Sequence, residues 1–225
     1  MAERLQTAQP DRDERAKERP SDHVPLIVTL ADGAPSLPEH PPRAAEACII
    51  RLATLAECAH LPALEQDAAR AFASIPELAW LAGGPVTSPA AHQRCVATQT
   101  CWVEVETTGQ VRGFLSATPY GHTLHIEEMS VAQAAQGHGL GRRLLHNACQ
   151  AAQERGMRHV TLTTFRAVPW NAPFYASVGF CVVPPNALDA RLGHILEQEV
   201  AHGFDATARC AMRLDLQPTV QCVPE

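Results

Sequence analysis

The chain has 225 residues, 46% of them hydrophobic and 19% charged, with 18 Lys+Arg against 24 Asp+Glu for a formal net charge of -6. That length can bury one sizeable core, and the composition excludes fibrous and wholly disordered classes. The acidic balance argues against a nucleic-acid partner and is compatible with a cationic substrate.

The eight cysteines are scattered, with no C-x-x-C pair, and read as reduced, mostly buried apolar residues. His92 and Cys95 are three apart, but no second pair stands at ligand spacing, so no metal is expected. Residues 1–22 hold no apolar signal-type run, and no apolar stretch approaches the roughly 18 residues of a membrane span. The expectation is a cytoplasmic protein without membrane contact.

Residues 1–45 mix charge with Pro10, Pro20, Pro25, Pro35, Pro38, Pro41 and Pro42, a composition that cannot offset chain entropy, and are expected to be a mobile tail. Residues 48–52 read as a strand. Leu61-Pro62 opens a helix through Phe72, with Leu61, Leu64, Ala68 and Phe72 at helical spacing. Residues 75–84 read as loop or partly helical, and Ser88-Pro89 starts a second helix.

Residues 101–106 and 111–117 are strand-like runs joined by Thr107-Thr108-Gly109-Gln110, the pattern of a hairpin. A strand at 123–131 leads into a helix at 139–155, where Leu140, Leu144, Leu145 and Cys149 share a face. Residues 159–165 form a β-branched buried strand, followed by a short helix at 171–177, a strand at 180–183, a helix at 188–201 and a strand at 208–216. The order predicts a mixed α/β (α+β) domain over 46–217 with a C-terminal tail at 218–225. A right-handed crossover is expected between strands 123–131 and 159–165.

Gln136-Gly137-His138-Gly139-Leu140-Gly141-Arg142-Arg143 lies between a strand and a long amphipathic helix. Glycines there let backbone approach a ligand, and free N–H groups with the helix dipole attract phosphate. A dinucleotide fingerprint from Gly137 would need Gly or Ala where Arg142 stands, and a P-loop would need Gly-Lys-Ser/Thr, so both fail.

The segment resembles the acetyl-CoA loop of GNAT N-acetyltransferases, Q/R-x-x-G-x-G/A, through Gln136, Gly139 and Gly141. Ile126-Glu127-Glu128-Met129-Ser130-Val131 looks like that family's fourth strand. Asn171-Ala172-Pro173-Phe174-Tyr175 through Gly179-Phe180 resembles its N-x-x-x-(F)Y-x-x-x-G-F signature. The resemblance implies a GNAT acyl-CoA fold, a mostly antiparallel mixed sheet of 6–7 strands flanked by helices, with acetyl-CoA as co-substrate. It implies acetylation of a small primary amine. The alternatives are a peptide or protein N-acetyltransferase and a CoA-binding sensor without turnover. Dimers are common among proteins of this family, so a homodimer is compatible with it.

By the same resemblance, main chain at Met129, Ser130 and Val131 pairs with the pantetheine arm, and backbone at Gln136, Gly137, His138, Gly139, Leu140 and Gly141 holds the pyrophosphate. Arg142 adds charge to the phosphates, while Asn171 and Phe174 face the cofactor arm. An alkyl ammonium, with a pKa near ~10.4, must lose a proton before it can attack. Alternation along the strand places His125, Glu127 and Met129 on one face and Ile126, Glu128 and Ser130 on the other. The family's proton acceptor matches Glu127 or His125, with Glu128 as a further candidate. Tyr175 matches its general acid, which protonates the departing thiolate. Phe72, Glu77 and Trp80, with Glu128, are the candidate acceptor-binding residues.

Overall fold

The computed structural model describes Leu5–Pro10, Leu26–Leu30 and residues 48–216. The chain divides into two units, Met1–Ala45 and Glu46–Glu225. In the first, β1 (Leu5–Pro10) pairs antiparallel with β2 (Leu26–Leu30). The rest of the expected N-terminal tail, and the C-terminal tail at 218–225, lie outside the described residues.

The second unit is built on strands β3 (Ile49–Leu52), β4 (Cys101–Val105), β5 (Val111–Tyr120), β6 (Thr123–Val131), β7 (His159–Phe165), β8 (Cys181–Val182) and β9 (Arg209–Asp215). They form one sheet in the order β3-β4-β5-β6-β7-β9-β8. Every neighbouring pair is antiparallel except β6 and β7, which are parallel. The crossover between those two carries α3 (Leu140–Glu154), as the helix-sized gap in the sequence requires. β9, the last of these strands, inserts between β7 and β8, an order that no local pattern announces.

The two faces of the sheet are covered by different helices. Leu144, Leu145, Ala148 and Ala152 of α3 pack with Leu115, Ala117, Leu124, Ile126, Val160 and Leu162 in the main core. Leu144 is fully buried, and such a side chain contributes about 1.5–3 kcal/mol by leaving water. On the other face, Val103, Val105 and Phe114 meet Leu61 of α1 (Leu61–Ala69) and Cys95 of α2 (Pro89–Ala97). The expected helix at 61–72 breaks into 3-10 turns from Arg70, and Pro76–Gly83 is also 3-10. Ser88 caps α2 by accepting the Ala91 N–H at 3.3 Å, as its position before Pro89 predicts. The remaining helices are α4 (Ala172–Ala176) and α5 (Ala190–Ala201), the latter capped by Asp189, which accepts the Leu192 N–H at 2.7 Å.

Two irregularities set the course of β6. Ser116 opposes Glu128 while Ala117 opposes Ile126, so Glu127 is an extra, bulged residue with no partner on β5. The bulge overturns the alternation expected from the sequence. His125, Glu128 and Ser130 now share the face of Phe114 and Ser116, and Ile126, Met129 and Val131 share the other. Beyond it, β6 and β7 part: their pairing covers only Thr123 to His125 of a nine-residue strand.

Candidate active site

The glycine turn opens α3 without a side-chain cap. Gly137 and Gly139 both have φ +78°, the left-handed region that glycine enters freely, and a Cβ at Gly137 would meet nothing within 4 Å. No side chain caps the first N–H groups of α3, and uncapped N–H groups at a helix start suit an anionic diphosphate. Leu140 itself is a core residue, 5% exposed. The Gln136 side chain donates to the Val131 carbonyl at 3.0 Å, fixing the turn to the end of β6. Gly141 lies against Met129 and Phe174, where a Cβ would sit 3.7 and 3.8 Å from their nearest atoms.

The two arginines at the helix start are not free charges. Arg143 donates to the His138 carbonyl at 3.1 Å and forms an ion pair with Glu104 of β4, which is fully buried. Arg142 donates to Ser177 Oγ at 3.0 Å and lies 6.0 Å over the Phe174 ring. A test of the turn is Gly139→Ala. The nearest atom to the added methyl is Arg143 Nη1 at 3.8 Å, so the effect is backbone strain and not collision. A loss of about 1 kcal/mol is expected in urea unfolding, the lower end of the left-handed penalty, and an unchanged midpoint would remove the conformational requirement.

Where β6 leaves β7, the main chain of Met129, Ser130 and Val131 has no strand partner on that side. Asn171, before α4, has its Oδ1 buried and without a hydrogen-bond partner. Both suit the amide groups of an extended ligand arm. Phe174 and Tyr175 pack at 5.2 Å between ring centroids, and Tyr175 meets Phe180 at 5.7 Å. Tyr175 is only 8% exposed, yet its hydroxyl makes no hydrogen bond to any described residue. Burial, and then the charge of Glu128, push its pKa above the ordinary phenol value, so it holds its proton at neutral pH.

The candidate proton acceptors fall in different surroundings. His125 is buried, with Nδ1 3.0 Å from Thr161 Oγ1, and burial pushes its pKa down to about 4, so it is neutral at pH 7. Glu127 is exposed on the bulge. Glu128 is partly buried and accepts the Ser130 hydroxyl at 2.7 Å, and desolvation raises its pKa.

Around Glu128 the structure gathers residues that the sequence did not single out. Glu65 of α1 accepts the Thr87 N–H at 3.0 and 3.1 Å, and its pKa rises to about 8 through burial and the charge of Glu128. Arg209 of β9 lies 4.5 Å over the Phe165 ring and 5.1 Å over Phe204, bound to both oxygens of Glu199. Phe72 packs on Phe165 at 5.6 Å and Trp170 at 5.7 Å, and Trp80 on Phe204 at 5.3 Å. Thus Phe72, Trp80 and Glu128 belong to one region, while Glu77 is exposed on the neighbouring turn and makes no hydrogen bond or ion pair with a described residue. No periodicity marks Glu65 or Arg209, because each is placed by packing between distant elements. An open groove of about 660 Å³ along α3, lined by Ile50, His146, Gln150 and Leu214 among others, includes neither Tyr175 nor Glu128.

The family model described as "Acetyltransferase (GNAT) family" matches residues 64–180, just over half of the chain. Among solved structures, the PaiA N-acetyltransferase from Thermoplasma acidophilum in complex with coenzyme A is 12% identical, with a TM-score of 0.55 over 75% of this chain and 99% of that one. The N-acetylglutamate synthase from Neisseria gonorrhoeae, complexed with coenzyme A and N-acetyl-glutamate, is 16% identical, with a TM-score of 0.56 over 76% of this chain and 35% of that one. The ribosomal-protein-S18-alanine N-acetyltransferase from Escherichia coli is 13% identical, with a TM-score of 0.52 over 79% of this chain and 99% of that one. At these identities the structures speak to the fold, and the matched family model, which covers just over half of the sequence, gives the family: the chain belongs to the GNAT acetyltransferase family.

Proposed function

We propose that the chain is an acetyl-CoA-dependent N-acetyltransferase whose acceptor is the primary amine of a small molecule. The observation that carries this reading is Tyr175: a buried ring whose hydroxyl makes no hydrogen bond to a described residue, next to the gap between β6 and β7 and within reach of the charge of Glu128.

The residues present fit acetyl-CoA. The turn 136–141 offers main-chain donors to the diphosphate, and Met129 to Val131 with Asn171 offer hydrogen-bonding groups to the pantetheine amides. Acetyl-CoA supplies the acetyl group as a thioester. Tyr175 donates its proton to the departing sulfur, whose thiol pKa of about 8.5 makes it a weak base that a positioned donor can satisfy. The strand register favours Glu128 over Glu127 for the proton of the acceptor amine, because the bulge turns Glu128 inward beside Ser130. His125, neutral and held by Thr161, orders the closed end of the gap.

Titration calorimetry is expected to show binding of both CoA and acetyl-CoA, and thiol release from acetyl-CoA is expected to depend on an added small amine. Absence of affinity for both ligands would end this reading. Release that responds to peptides but to no small amine would move the acceptor to proteins.

A further inference from the structure

Glu65 stands on α1, which packs against β6, and Glu128 stands at the bulge of β6; the charge of Glu128 acts on Glu65, and neither carboxylate has an ion pair among the described residues. Each is already held by one neutral donor, Thr87 for Glu65 and Ser130 for Glu128. The nearest guanidinium to act on Glu128, that of Arg209, is bound through two hydrogen bonds of 2.8 and 2.6 Å to Glu199. The other titratable groups on this face include His125, which is neutral at pH 7, and His92 and Cys95 of α2, which pack against Phe114; the Tyr175 phenol, in the main core, feels the charge of Glu128. A pair of desolvated carboxylates in this state disfavours folding.

Two further observations point to a ligand at the same place. Ser116 lies directly opposite Glu128 across the β5–β6 pair and on the same face; it is 1% exposed, and its hydroxyl has no partner. Arg209, whose charge reaches Glu128, joins these groups to a wall of rings. Phe72, Phe165 and Phe204 are joined to Trp80 and Trp170, which are 47% and 41% exposed. Arg209 already covers Phe165 and Phe204, so the exposed Trp80 and Trp170 are the ring surface left to an apolar ligand body.

We propose that Glu65 and Glu128 together seat the ammonium group of the acceptor, and that the ring wall selects an acceptor whose body is flat and apolar. This rests on the N-acetyltransferase reading and deepens it. The empty pair holds a proton that the incoming ammonium displaces to solvent. One carboxylate then takes a proton from the ammonium nitrogen, leaving a neutral amine with its lone pair free and restoring the protonated pair.

The probes are phenethylamine, phenylalanine and n-butylamine, titrated calorimetrically into protein saturated with CoA, whose binding is measured first. Phenylalanine carries the same ring and ammonium plus a carboxylate that two acidic side chains repel, and n-butylamine lacks the ring. Phenethylamine is expected to bind about tenfold or more tightly than either, the worth of one charge-assisted contact. Glu65→Gln and Glu128→Gln should each weaken it by a similar factor with CoA affinity intact, and Glu65→Asp should recover part of the loss. Binding to the native protein at pH 7 should release a proton, seen as heats that vary with the buffer's ionisation enthalpy, and Glu65→Gln should abolish that release.

The folded protein holds the Glu65 proton up to about pH 8, against an ordinary carboxylate value of 4.5. Its favourable contribution is present below 4.5 and is lost as pH rises through 8. Glu65→Gln should therefore raise the Tm at pH 8 while it impairs amine binding. Equal binding of phenylalanine and phenethylamine, or full amine binding by Glu65→Gln with CoA bound, would overturn the seat alone. Native protein that fails to bind CoA would overturn the function as well.

Discussion

Tyr175→Phe is expected to lower kcat by about 10²–10³-fold, within the range of a single positioned general acid, and to leave the dissociation constant of acetyl-CoA unchanged. The substitution isolates the chemistry because the ring stays where it is. Its contacts with Phe174 and Phe180 and its place in the main core do not involve the oxygen. Since the hydroxyl has no protein partner, its removal strands no buried donor, and the Tm should hold or rise slightly. The native phenol remains protonated well above neutral pH, so no alkaline limb from Tyr175 should enter the pH–rate profile below its ordinary value near 10. Thiol release and calorimetry on the same preparations check both halves. A rate within twofold of the native protein would take the acid role from this residue.

Arg143→Ala should be the most damaging substitution of an exposed side chain in the domain. Arg143 is 49% exposed, but its partner Glu104 is fully buried, and the second carboxylate oxygen of Glu104 has no partner among the described residues. Breaking a buried pair from one side costs about 3–5 kcal/mol because an uncompensated charge remains. The exposure of Arg143 places the expected loss near the lower end, about 3 kcal/mol. The same change releases the His138 carbonyl, so the glycine turn loses a brace and CoA affinity should fall as well. The double variant Glu104→Gln/Arg143→Ala separates the two effects. Stability should largely return, because a neutral amide replaces the buried charge, while the weakened CoA binding should persist. Urea unfolding of the three proteins measures this, and a loss below 1 kcal/mol in Arg143→Ala would show that Glu104 is stable without its partner.

These two sites differ in how far the sequence disclosed them. Tyr175 was singled out because the contiguous pattern from Asn171 through Phe180 resembles a family signature, and the role proposed for it rests on that resemblance. The same holds for the glycine turn, whose left-handed residues only glycine occupies without strain. Arg143 was visible only as a charge at a helix start. Its partner lies 39 residues earlier on a strand that reads as wholly apolar except for Glu104, and nothing local says which way either side chain turns.

The strand at 123–131 shows the boundary most clearly. Its ends are where β-branched and apolar residues place them, but its faces are not, since a single bulged residue at Glu127 exchanges the sides of everything beyond it. A bulge exists only relative to a partner strand, so strict alternation assigned Glu127 to the face that Glu128 occupies.

Beyond residue 84 the sequence by itself determined the order and type of the strands and helices and the turn that opens α3, because those depend on periodicity, capping and backbone conformation within a few residues, whereas it gave no sign of β1 and β2 and ran α1 past Ala69. Only the tertiary structure decided that β9 lies between β7 and β8, that the charge of Glu128 reaches Glu65, and that Phe72, Phe165, Phe204 and Arg209 form one wall. Those juxtapositions are set by packing and charge between segments tens of residues apart, where the energy lies in contacts that no local pattern encodes.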